Sequence, residues 1–158
     1  MMTLAISLHV LSAVIWVGGM FFAYMALRPV AANLLEPPQR LPLWRDVFGK
    51  FFPWVWLCII SLLGSGYWMA FTLFGSVANF PHFVLIMQGL GILMMILFIH
   101  LFFAPYQRMK KAIEAGDLPA AGKKLAQIRI IIGINLILGL IVVTVGVAGD
   151  SLFHLMNH

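Results

Sequence analysis

The sequence predicts an all-α membrane protein, a four-transmembrane-helix bundle with N and C termini on the periplasmic side, and three observations carry that expectation. Of the 158 residues, 63% are hydrophobic and only 9% are charged, against roughly 25% charged in an average soluble domain. Four windows, residues 4–27, 51–74, 83–103 and 130–149, are apolar and free of Lys, Arg, Asp and Glu, and each is long enough to cross about 30 Å of hydrocarbon at about 1.5 Å per residue. The ten Lys and Arg residues all fall in two of the connections between these windows.

The first connection, residues 28–50, holds Arg28, Arg40, Arg45 and Lys50, and the second, 104–129, holds Arg108, Lys110, Lys111, Lys123, Lys124 and Arg129. The N-terminal Met-Met-Thr, the link over 75–81 and the tail after Asp150 carry none. The excess of cations marks cytoplasmic loops, so both termini face the other side, as an even number of spans requires. Cations confined to short loops explain the net charge of +5 by topology and exclude a nucleic-acid partner. The first apolar stretch lacks a cationic start and outruns a signal-peptide core, so it is read as a helix of the mature chain. Residues 1–158 form one membrane domain with no soluble one.

Pro29, Pro37, Pro38 and Pro42 predict an irregular approach to the second span, with a short interfacial helix over 44–50, and Pro53 sits near the span's start, where a missing N–H costs little. The third span is expected to continue over 106–115, to stop at Gly116, and to be followed by a helix capped by Asp117. In the fourth span Asn135, Gly139 and Gly146 lie at neighbouring helical angles, a close-packed seam with one polar tie. Cys58, the one cysteine, lies within a span and reads as a small hydrophobe. Most of the ten methionines stand singly among apolar residues and read as packing.

With no acid or base inside the spans, the five histidines are the informative residues. His9 lies in the first span, where an imidazole needs a partner or a ligand. On a helical wheel it shares a face with Ala13, Trp16 and Met20, and Ser12, Gly19 and Ala23 lie beside them; these small residues would admit a neighbouring helix or a flat ring. His82 and His100 bracket the third span on one side of the helix, about 27 Å apart with Gly89 between them. This arrangement resembles cytochrome b helices that hold a haem in each leaflet. His154 and His158 follow the fourth span, on the side of His9 and His82. Thus His9, His82 and His154 form a candidate metal set, with Met87 and Met156 as soft donors for Cu(I), or two of the histidines as axial ligands of haem iron. Arg28 and Arg108 are placed to meet haem propionates or lipid phosphates.

The stretches LHVLSAVIWVGGMFFAYMALRP, FFPWVWLCIISLLGSGYWM and HFVLIMQGLGILMMILFIHLFFAPYQRMKKAIEAG resemble the CopD and HemJ group of small membrane proteins, and FFAPY followed by a basic amphipathic stretch is closer to the CopD side. The resemblance implies a multi-pass four-helix bundle of the bacterial inner membrane. For CopD-like proteins it implies copper handling. For HemJ-like proteins it implies haem b binding and protoporphyrinogen oxidation, with a His of the first helix, here His9, as ligand. HemJ-like sequences carry a Lys two positions after a His of the third helix, whereas Val84 stands at that distance from His82, a departure that speaks against oxidase activity.

The leading expectation is therefore a haem b protein of membrane electron transfer, held by His9, His82 and His100 with Trp16 and Arg28 beside the cofactor. The alternative is copper binding or transport on His9, His82 and His154. A third reading is a non-catalytic scaffold or assembly subunit. Besides the lipid bilayer, the expected partners are a second copy of the chain and a quinone or a periplasmic redox or copper-carrying partner.

The topology is open to direct test. A cysteine introduced as Lys123→Cys is expected to react with a membrane-impermeant maleimide only from the cytoplasmic side, and one introduced as Ser76→Cys only from the opposite side. Labelling of both from one side would break the four-span reading.

Overall fold

The computed structural model describes the backbone of residues 1–156 and the side chains of residues 1–149. Among the described residues the chain is helical and contains no strand. Helix α1 spans Met2–Phe22 and passes through a π-helical turn, Ala23–Leu27, into the short α2, Arg28–Leu34. Helix α3, Pro37–Phe74, is one continuous run of 38 residues. A short 3-10 turn at Val77–Asn79 leads to α4, His82–Leu101, which continues through a second π-helical turn, Phe102–Tyr106, into α5, Gln107–Glu114. Helix α6 spans Leu118–Met156. Four helical segments are long and apolar enough to cross a membrane.

Two of these elements depart from the sequence-based expectation. The irregular approach and separate interfacial helix predicted before the second span are instead part of α3. Pro37 and Pro38 occupy the first positions of the helix, where no intrahelical N–H bond is due. Leu41, Trp44 and Phe48 then bury one face of its early turns, so packing outweighs the bond lost at Pro42. The two π-helical turns were not foreseen. One directly precedes Arg28-Pro29 and the other contains Pro105, and the wider turn accommodates a ring that lacks an N–H without ending the helix.

The connection between α5 and α6 follows the expectation. Gly116 takes φ +73°, the left-handed conformation that a side chain disfavours. Asp117 Oδ1 then accepts the Ala120 N–H at 3.0 Å, supplying the acceptor that the first turn of α6 needs.

Helix α1 packs chiefly on α3, and α4 on α6. Both cationic connections lie at one end of the bundle, where the Tyr106 hydroxyl donates to the Arg45 carbonyl at 3.3 Å. At this end Trp44, Phe48, Phe52, Leu101, Tyr106, Met109, Leu125 and Ile128 form a continuous buried core. Toward the opposite end the helices expose apolar side chains such as Leu8, Leu11, Ile60, Phe71 and Val147, the surface a bilayer would cover. Hydroxyls on that surface bond to their own helix: Ser7 to the Thr3 carbonyl, Thr72 to Trp68 and Thr144 to Leu140. No polar group of these three is left bare in lipid.

The predicted seam on α6 is present. Asn135 is buried and its Nδ2 donates to the Met94 carbonyl at 3.1 Å, while Gly139 faces Val17 and Met94, and Gly146 faces Met87. Cys58 is buried among core residues rather than facing lipid. A Cβ at Gly139 would lie 2.8 Å from Val17 Cγ2. Gly139→Val is therefore expected to destabilise the bundle by about 1–3 kcal/mol through overpacking. Gly18→Val, at a position with open space around it, should leave the unfolding midpoint in detergent nearly unchanged. Equal effects of the two would dismiss the seam.

Candidate functional site

His9 sits in the third turn of α1, at the end of the bundle away from the cations, and faces α3. Its Nδ1 lies 3.0 Å from the Ser65 Oγ. The Ser65 hydroxyl has one proton, and it is donated to the Ser61 carbonyl one turn earlier in α3. Ser65 Oγ is thus an acceptor toward the ring. That calls for an N–H on Nδ1, which assigns the proton of the neutral ring to Nδ1. The Nε2 nitrogen is left with its lone pair, the arrangement in which a hydrogen bond on one ring nitrogen orients the other toward a metal.

The small residues near His9 have specific occupants. A Cβ on Gly66 would stand 3.0 Å from His9 Cε1, so a glycine at that turn of α3 is what lets the imidazole lie against the helix. Gly19 admits the ring of Phe51. Trp16 and Met20 are 3% and 4% exposed, and Trp16 meets the edge of Phe98 at a centroid distance of 6.2 Å. The flat ring accommodated on the α1 face is therefore a phenyl group of the chain itself, and Trp16 is a core residue. The face of α1 expected to take a flat ring is thus filled at Trp16 and Gly19 by the chain's own side chains, and among the described residues the expectation of haem b and electron transfer finds no support.

The other predicted site residues are scattered. His82, the first residue of α4, is exposed, as is His100 eighteen residues further along that helix. His100 lines an open groove of about 430 Å³ with Arg108, Lys124 and Gln127 at the cationic end, away from His9. Arg28 stacks on the Tyr24 ring, 4.7 Å from its centroid. His154, Met156 and His158 lie outside the residues whose side chains are described. Met87 packs its thioether against Gly146 in the α4–α6 seam. Among the described residues no three His, Cys, Asp or Glu side chains gather as a metal-holding group.

Sequence reasoning passed over Ser61, Ser65 and Gly66. The available signal was the Ser-x-x-x-Ser spacing followed by glycine in SLLGSG, which puts two hydroxyls on one helical face. A second polar tie nearby, Gln88 Nε2 donating to the Tyr67 hydroxyl at 2.7 Å, links α4 to α3 in the same half of the bundle.

The family model described as CopD, copper resistance protein D, matches residues 45–148. That stretch runs from the early turns of α3 into α6 and covers more than half of the chain. Helix α1, with His9, precedes it. No curated protein and no solved structure matches the chain.

The proton assignment can be read by nitrogen NMR of the imidazole. In the metal-free protein His9 is expected as the Nδ1–H tautomer, and Ser65→Ala should destabilise the fold by about 1–2 kcal/mol, the typical cost of a lost partner for a partly buried polar group. A wild-type spectrum showing the Nε2–H tautomer would contradict the assignment.

Proposed function

The chain belongs to the CopD, or copper resistance protein D, family, and on that premise we propose that it is a copper-handling protein of the bacterial inner membrane, with Cu(I) as its cargo and His9 as the principal ligand. The observation that carries this reading is the Ser61–Ser65–His9 chain of hydrogen bonds, which leaves Nε2 as a free donor atom. Imidazole nitrogen and thioether sulfur are the ligand types suited to this ion. His82 and His154 are the proposed co-ligands, as histidines that begin α4 and follow the fourth span at the end of the bundle where His9 lies.

The distribution of charge supports the same placement. No Lys or Arg lies within the four apolar windows, and both cationic connections are at the far end, so no Lys or Arg side chain stands at the ligand end to repel the ion. With the cationic end on the cytoplasmic side, copper would be met on the periplasmic side. The protein's part is binding and passage of the ion: His9 is held by Ser65 with its lone pair available, and the ion must displace no proton from Nε2 to bind.

Copper measurement tests this. Wild-type protein purified after growth in copper and loaded under reducing conditions is expected to retain copper in stoichiometric amount, and its deletion to alter copper tolerance. His9→Ala should lose most of the bound copper and fail to restore the deletion phenotype, while His100→Ala should retain both properties. Unchanged copper content and tolerance in the His9 variant would overturn the reading.

A further inference from the structure

We propose that Arg28, Arg40 and Arg129 form a binding seat for a single anionic phosphate group at the cationic end of the bundle. The site is separate in position and chemistry from the proposed copper ligands and does not depend on them. The three arginines come from distant parts of the sequence: the first residue of α2, the end of the first turn of α3, and the α6 segment that enters the fourth span. In the folded chain Arg28 and Arg129 line one cavity, and Arg40 reaches back to the Ala32 carbonyl of α2, the helix that Arg28 begins.

Such convergence is costly. Each of the three side chains is half-buried, and the Nε–H groups of Arg40 and Arg129 are enclosed without an acceptor. Arg40 Nη1 reaches only the Ala32 carbonyl, at 3.4 Å. No Asp or Glu contributes to the field at Arg129, and the one ion pair among the described residues, Arg45 with Asp46, is elsewhere. A buried donor left unsatisfied costs more than an average hydrogen bond gains, and more again when it is charged. Arginines that merely snorkel keep their heads apart and in water. Here like charges are drawn together, and part of the donor sets of Arg40 and Arg129 is turned inward.

The surrounding structure holds them in that position. The π-helical turn carries Tyr24, whose ring lies against Gly133 of α6 and under the Arg28 guanidinium. Tyr24, Arg28, Trp44 and Arg129 line one small cavity, so the first π-helical turn, α2, α3 and α6 meet at the cluster. Three planar, multiply donating cations with no internal counter-ion match the several oxygens of a phosphate group. A membrane offers this chemistry as an anionic lipid headgroup, and the cytosol offers it as free phosphate.

The test uses the full chain in lipid-free neutral detergent. The thermal midpoint is measured after adding phosphatidylglycerol, phosphatidylcholine, or inorganic phosphate against chloride at equal ionic strength. Wild type is expected to be stabilised by phosphatidylglycerol or by phosphate, with phosphatidylcholine weaker than phosphatidylglycerol. Arg40→Gln and Arg129→Gln should each weaken the apparent affinity about tenfold, and Arg45→Gln should leave it unchanged. Because neutralisation relieves repulsion, the two Gln variants should be at least as stable as wild type without added anion, which shows that they fold; if one does not fold, the other and Arg28→Gln carry the same comparison. Stabilisation by phosphatidylglycerol alone identifies the headgroup, and stabilisation by inorganic phosphate as well identifies the free anion as sufficient. The proposal is overturned if neither stabilises wild type, if phosphatidylcholine matches phosphatidylglycerol while phosphate has no effect, or if the Gln variants respond as wild type does.

Discussion

The bundle depends on an aromatic clasp centred on Phe52. Its ring stacks on Phe48 with centroids 5.1 Å apart and meets Phe98, Phe102 and Tyr106 edge-on, at 5.4, 6.1 and 4.9 Å. Between helices in lipid there is little hydrophobic driving force, because acyl chains are as apolar as leucine, so close packing must supply the cohesion. Rings that meet edge to face do this well, at about 0.5–1.5 kcal/mol per pair beyond the area they cover. The clasp ties the early half of α3 to the end of α4 and to its π-helical turn. Gly19 extends it to α1 by admitting the neighbouring Phe51.

This clasp makes the two ends of the bundle unlike. The cationic end is closed around large buried side chains, whereas the opposite end adds polar ties, His9 to Ser65 and Gln88 to Tyr67, to a thinner apolar seam of Met87 on Gly146 and Phe80 on Phe71. A hydrogen bond orients a side chain without filling the space around it. That is the physical condition for a ligand atom: His9 is held through Nδ1 at one edge of its ring, and Nε2 is the nitrogen left to act as a donor in the proposed site. The closed end has the complementary property. There, packing brings Tyr24 onto Gly133 and Trp44 into the core, and the arginines attached to the same segments converge whether or not their charges favour it.

The two proposed sites therefore follow from one asymmetry. A cation is suited to the end with no Lys or Arg side chain, and an anion to the three arginines that gather at the other end with no acid paired to them. The ten Lys and Arg that announce the topology in the sequence also separate these two chemistries across the length of the bundle.

Much of the architecture was legible in the sequence because it depends on neighbours along the chain. Span length, the placement of cations, the Gly116 stop with its Asp117 cap, and the Asn135–Gly139–Gly146 stripe are all properties of short windows. The continuity of α3 through Pro37, Pro38 and Pro42 was not legible, because burial of Leu41, Trp44 and Phe48 by other helices outweighs the local signal to break. The aromatic occupant of Gly19, the serine partner that sets the His9 tautomer, and the meeting of Arg28, Arg40 and Arg129 were hidden for the same reason. Each joins residues from different helices, so the sequence by itself determined which segments enter the membrane, and only the tertiary structure decided which side chains face one another there, since helical periodicity specifies a face but not the helix that covers it.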